Sequence, residues 1–276
     1  MKNLFLFLFL LVVFTSKAQD NRVSGLNSRQ FTKYWKVESE SPDYKVTFQG
    51  DTAEIVSPKG LTLWRKEKMS GKVTIEYDAC VVVESDGDRL SDLNCFWMAS
   101  DPQYPDNLWK REKWRSGIFL NCYSLQLYYL GYGGNHNSTT RFRRYDGDES
   151  GITNPKARPA ILKEYTDAGH LLKPNHWYHI KITNENNRVS YYIDGERLVD
   201  FRDAEPLREG WFGFRTTLSR TRITNFSYEC SSQEAAAVPL QWIGETPRQD
   251  KAVSFGVPFD KGEVFRKQAT AICRKW

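Results

Sequence analysis

From about Asp43 onward the chain alternates short apolar runs with turn clusters and has almost no stretch of helical period. That alternation restricts it to a β-sandwich or barrel. The clearest strands are Tyr44 to Phe48, Ala53 to Val56, Leu61 to Trp64, Lys72 to Val83, Leu93 to Ala99, Gly117 to Asn121, Ser124 to Leu130, Thr139 to Tyr145, Ala160 to Tyr165, Trp177 to Asn184, Arg188 to Ile193, Trp211 to Thr217 and Thr221 to Tyr228. So many strands in succession need two packed sheets. Three connections, Glu84 to Asp92, Ser100 to Ser116 and Asp146 to Arg158, are long and rich in turn formers or charge, and loops of that kind commonly shape a binding rim.

Lys2, the apolar run Leu4 to Phe14 and Ser16-Lys17-Ala18 read as a secretory signal over residues 1–18. The run is short for a membrane span, so a soluble secreted or periplasmic protein is expected, with no membrane insertion. About 257 residues remain, enough for one large all-β domain over 19–230. Losing Lys2 and Lys17 lowers the formal net charge from +5 to +3, too mild a balance to point to nucleic acid. Ser231 to Ala237 reads as a linker, and 238–276 as the start of a second β domain too short to bury its own core. The five cysteines, Cys80, Cys95, Cys122, Cys230 and Cys273, have no metal-type spacing, and their odd number leaves the pairing open.

Trp177-Tyr178-His179-Ile180-Lys181-Ile182, followed by Arg188 to Leu198 with Asp194-Gly195 as a positive-φ turn, resembles the hairpin signature of laminin-G and concanavalin-like jelly rolls. Gly210-Trp211-Phe212-Gly213-Phe214-Arg215 looks like the strand that follows in those folds. The fold expected is therefore all-β, a two-sheet antiparallel jelly-roll sandwich with a short incomplete C-terminal extension. Ser91 to Met98, Tyr132 to Asn135 and Thr139 to Tyr145 look like a family of exported bacterial jelly-roll domains that accompanies polysaccharide breakdown. Val238 to Trp242, Phe255 to Phe259 and Lys261 to Val264 resemble the opening strands of exo-acting rhamnogalacturonan lyase-like proteins, with the remainder of such a protein absent.

Strand alternation puts Asp92, Asn94, Phe96 and Met98 on one face and Leu93, Cys95 and Trp97 on the other. Asp92 and Asn94 then either line a sugar groove or hold a neighbouring loop. Arg141, Arg143 and Tyr145 share a face, opposite Phe142, and form a cationic ladder that a uronate carboxylate or local Asp and Glu side chains would satisfy. Tyr132-Gly133-Gly134-Asn135-His136-Asn137 is a turn offering a phenol, amides and an imidazole just before that ladder. A polysaccharide lyase needs a neutralised uronate, a base and an acid. His136 is the candidate base, Tyr132 or Tyr145 the acid, Arg143 the neutralising cation and Asn135 a substrate contact. Trp211 and Arg215 share a face with Gly213 and could stack and bind a sugar, although a Trp is more often core.

Glu76 and Asp78 resemble part of the Glu-x-Asp-x-x-Glu strand of jelly-roll glucanases, but Val81 stands where the third carboxylate belongs. Hydrolysis ranks third for that reason. Asp86, Asp88 and Asp92 with loop carbonyls could hold Ca2+, though Asp-rich turns are ordinarily only turns, and no other cofactor is expected. The leading expectation is recognition of an acidic plant-type polysaccharide or oligosaccharide, with lyase chemistry as its enzymatic form. The rival is a non-catalytic carbohydrate-binding module of a larger degrading enzyme.

Overall fold

The structure is a computed structural model that describes residues 22–231. The described residues contain the strands β1 (Arg22–Ser24), β2 (Trp35–Ser39), β3 (Lys45–Gln49), β4 (Thr52–Arg65), β5 (Met69–Ser70), β6 (Lys72–Val81), β7 (Leu93–Ser100), β8 (Gln126–Gly133), β9 (Thr139–Asp146), β10 (Lys163–Tyr165), β11 (Tyr178–Glu185), β12 (Arg188–Ile193), β13 (Glu196–Arg202) and β14 (Glu209–Ser231). All the ladders are antiparallel. A front sheet runs β10-β9-β8-β7-β14-β4-β2, and a back sheet runs β13-β12-β11-β6-β14-β4-β3. The two packed sheets expected from the alternation, and the jelly roll that the resemblance implies, are the fold observed.

Two strands belong to both sheets. β14 pairs with β7 through Trp211 to Arg215 and with β6 through Thr221 to Ser231, while β4 accompanies it around the same corner. The ladder slips at the bend, where Leu218 has φ +50° and Pro58 and Lys59 fall between the paired Ser57 and Gly60. A proline is tolerated where the ladder asks for no donor. Sequence patterning therefore divides each long strand in two at its corner, although the chain stays paired on both sides of it.

Between the sheets, one face of every central strand supplies a continuous apolar core that includes Leu63, Ile75, Tyr77, Cys95, Trp97, Leu130, Phe142, Ile180, Tyr191 and Phe214. A second core lies on the outer face of the front sheet: Trp64, Phe96, Leu127, Tyr129, Tyr145 and Trp211 are covered by Leu108, Cys122, Tyr123 and Leu125. The cover is the segment from Asp101 to Leu125, folded as single turns at Leu108–Arg111, Glu112–Arg115 and Leu120–Ser124. The strand expected at Gly117 to Asn121 is not formed. Ser116 and Gly117 both take positive φ, and Phe119 and Leu120 pack down onto the sheet instead of alternating. Each large apolar side chain fully buried in this way contributes roughly 1.5–3 kcal/mol.

Met98 departs from its expected face. Its φ of +52° marks a bulge in β7, and the bulge turns its side chain into the inter-sheet core. Cys80, Cys95, Cys122 and Cys230 are free thiols; Cys273 lies outside the described residues, as do the expected signal at 1–18, the expected extension at 238–276 and all of the expected linker but Ser231, which ends β14. No helix of the described residues is long and apolar enough to cross a membrane.

Candidate functional site on the front sheet

Register places one row of outward side chains across the front sheet: Glu164, Arg141, Gly131, Asn94, Arg215, Thr62 and Glu38. Their strand neighbours Phe142, Leu130, Cys95, Phe214 and Leu63 all point into the inter-sheet core, so the row faces away from it. The adjacent row is Arg143, Tyr129, Phe96, Gly213, Trp64 and Lys36, which is largely apolar. A polar stripe thus runs along the margin of the second core.

At one end the stripe is sealed. Arg115, fully buried, donates to Glu38 at 3.0 Å and to the Leu108 carbonyl at 2.6 Å. Asp101, also fully buried, lies 3.7 Å from both Arg111 and Arg115. Burial is the main influence on Glu38 and raises its pKa above the usual carboxylate range, against the pull of Arg115. The cover meets the sheet so closely at Gly117 that a Cβ there would lie 2.7 Å from the Ser39 Cα. Only glycine fits that contact at φ +70°.

Toward the middle, Arg215 is 3% exposed, donates to the Gly117 carbonyl at 2.5 Å and to Thr62 Oγ1 at 3.3 Å, and lies against the Phe119 ring. It stands near Glu38 and Glu40 without closing an ion pair with either. Beside it, Asn94 is 6% exposed and donates from Nδ2 to Asp92 at 3.2 Å, while its Oδ1 is buried with no hydrogen-bond partner. A buried acceptor left unpaired costs about 1–3 kcal/mol. Asp92, at φ +64°, also accepts from Ser91 Oγ and Arg89 Nη1, each at 2.9 Å. Asp92 fastens the loop through Arg89, as one of the two readings expected, and Asn94 faces the row.

Tyr129 lies along the sheet over Gly131, where a Cβ would fall 2.2 Å from the phenol oxygen. Burial first, and then the charge of Asp92, pushes the Tyr129 phenol well above its ordinary pKa, while Arg215 and Arg143 act in the opposite sense. The phenol is therefore a neutral hydrogen-bonding group ringed by Asp92, Arg143 and Arg215. Sequence reading overlooked Tyr129 and Gly131, although a glycine inside an apolar strand is a recognised sign of close approach. Arg143 is half-buried, donates to the Pro159 carbonyl, and forms no ion pair among the described residues. Arg141 differs, being paired with Glu164 at 2.5 Å.

The residues assigned to lyase chemistry do not come together. Tyr132 points between the sheets, edge-on to Tyr178 and bonded to the Leu171 carbonyl at 3.3 Å, so it lies on the opposite face from Arg143. Tyr145 is fully buried in the second core with its hydroxyl unpaired. His136 and Asn135 are exposed on the β8–β9 turn, both with positive φ, and Asn135 bonds only its own turn at Thr139. Trp211 is 4% exposed, bonded to the Lys66 carbonyl and edge-on to Trp109, so it is core and offers no face to a sugar.

Glu76 and Asp78 lie on the back sheet, where Lys181 and His179 hold them at 3.2 and 2.7 Å. Asp88 caps the backbone of Glu84 and Ser85, and Asp92 faces Arg89, so the suggested Ca2+ set is not assembled. Among the described residues no three His, Cys, Asp or Glu side chains converge as a metal site.

A family model described as a domain of unknown function (DUF6250) matches residues 55–226. A second, described as a PcRGLX-like N-terminal RIFT barrel domain, matches residues 236–275. The chain is similar to the crystal structure of a protein of unknown function with a galectin-like fold from Bacillus subtilis, at 16% identity and a TM-score of 0.60, covering 75% of this chain and 94% of that one. It is also similar to the Emp47p carbohydrate recognition domain, at 14% identity and a TM-score of 0.51, covering 77% and 96%. The Ca2+/Man-bound exoplasmic/lumenal domain of VIP36 is similar at 8% identity and a TM-score of 0.52, covering 83% and 99%. No curated protein matches. At these identities the likeness is one of fold, and it gives a galectin-like jelly roll.

Proposed function

The chain belongs to the DUF6250 family, and on that premise we propose that its sandwich is a glycan-binding domain that receives an acidic, uronate-containing oligosaccharide on the part of the front sheet where Asn94, Tyr129 and Arg143 lie together. The observation that carries this reading is the buried, unpartnered Asn94 Oδ1, set between Asp92 and Arg215 and beside the neutral Tyr129 phenol. Sugar hydroxyls both donate and accept, so such a cluster suits them. Arg143, a guanidinium with no ion pair among the described residues, supplies the fork that fits a uronate carboxylate. Support also comes from two proteins of similar fold, one titled a carbohydrate recognition domain and the other a Man-bound form. The encounter is set in the periplasm or outside the cell.

Binding is favoured over cleavage because His136 lies on the exposed β8–β9 turn, Tyr132 points between the sheets, and Tyr145, although on the face of Arg143, is fully buried in the second core. Calorimetric titration with homogalacturonan and rhamnogalacturonan oligosaccharides, and with neutral galactan, tests the reading. Uronate oligosaccharides are expected to bind about tenfold more tightly than neutral ones, and Arg143→Ala to remove that preference. Gly131→Ala, which drives a methyl into the Tyr129 phenol, is expected to abolish binding of both. Absence of affinity for any of these glycans would sink the proposal, and a rise in unsaturated-uronate absorbance would reinstate the lyase.

A further inference from the structure

Trp114 is 43% exposed, although it sits on the same cover segment whose Trp109, Phe119 and Tyr123 rings are packed down onto the sheet. Its exposure is not slackness. The Arg111 guanidinium lies 4.2 Å from the centre of the indole, and Arg111 is itself held by Glu149 at 2.5 Å and by the buried Asp101 at 3.7 Å. The next residue, Arg115, is anchored in the buried pair with Glu38, and the Trp114 carbonyl accepts from Asn121 at 3.0 Å. Backbone and ring are thus fixed from beneath, and the ring is presented to solvent.

We infer that Trp114 is a stacking platform for a second pyranose ring, extending the site from the polar stripe onto the cover; this rests on the glycan reading above. The apolar C–H face of a pyranose suits an indole face, and a ring already held in place loses little freedom when a sugar lands on it. Position favours continuity with the stripe. Gly117, whose carbonyl accepts from Arg215, is three residues further along, so the two backbones are at most about 10 Å apart. That is within the reach of a short oligosaccharide. Trp177 provides a built-in contrast: it is 42% exposed, yet it lies just before β11 of the back sheet with no aromatic ring or cation against it among the described residues.

The test is an affinity series on the full chain with uronate oligosaccharides of increasing length, starting from the monosaccharide. The wild-type chain is expected to gain about five- to tenfold in affinity once the ligand is long enough to reach the platform. Trp114→Ala should lose that gain while binding the monosaccharide as before, Trp114→Phe should keep most of it, and Trp177→Ala should keep all of it. An unchanged melting temperature in Trp114→Ala would show that the cover is intact. If Trp114→Ala retains the full gain with length, the platform is refuted and the glycan reading stands. If the wild-type chain binds no oligosaccharide of any length, the glycan reading itself fails.

Discussion

The outer faces of the two sheets are built from the same alternation and end in opposite conditions. On the front sheet the outward positions of β4, β7, β8 and β14 are Trp64, Phe96, Tyr129 and Trp211, a second core beneath the 101–125 cover, and the polar residues among them are enclosed. On the back sheet the equivalent positions carry solvated ion pairs: Glu76 with Lys181, Asp78 with His179, Arg188 with Asp200, and Glu54 with Arg220 and Arg222. The shallow trough on that face, about 290 Å³ and lined by Thr74, Thr183, Ser190 and Tyr192 among others, is bordered by such pairs. The contrast teaches that charge on a sheet face means different things according to what lies over it. Under a cover a charged or polar group that is left without a partner, as Asn94 Oδ1 is, carries a cost that solvent would otherwise remove.

The largest expected effect comes from breaking the seal. Arg115→Met leaves Glu38 and Asp101 buried without their shared cation, and a loss of about 3–5 kcal/mol in denaturant-unfolding stability is expected. A loss below about 1 kcal/mol would show that the cover does not depend on this network.

Next in size is a pair of opposite pH dependences. Glu38, with its folded pKa raised chiefly by burial, contributes stability that is complete below about 4.5 and is lost as pH rises through the folded value. Glu54, with its pKa lowered chiefly by the bond from Arg220, contributes stability that is complete above about 4.5 and is lost as pH falls through its depressed value. Denaturation curves taken from about pH 3 to about pH 8 should therefore show Glu38→Gln gaining on the wild type as pH rises, and Glu54→Gln falling behind it. Parallel curves for the two variants would erase the distinction between the faces.

The smallest effect is expected on the back sheet. Lys181→Ala removes a half-exposed partner of Glu76 and should cost less than about 1 kcal/mol while leaving glycan affinity unchanged. A clear loss of affinity would move the binding face to the wrong sheet.

Particular residues show how far the sequence could be read. Asp194-Gly195 announced a hairpin and both residues take positive φ there, yet the partner strand β13 went unmarked because Glu196 and Arg197 interrupt its apolar pattern. The outward grouping of Asn94 with Phe96, and of Arg141 with Arg143 and Tyr145, was legible because side chains in a strand alternate strictly. The site centred on His136 was not supported, since a turn rich in Gly, Asn and His is equally what a tight β8–β9 connection requires.

What the sequence by itself determined is the sandwich: period-two alternation and turn chemistry are local, and they specify the fold class and most of its central strands. What only the tertiary structure decided is which outward residues are open. Tyr145, Trp211 and Arg215 share the outward face with Arg143 in any reading of the strands, but a segment distant in sequence packs over the first three and leaves Arg143 half-buried. It is the path of that cover, fixed by the long-range contacts of Arg115 and Gly117, that turns one stretch of the face into core.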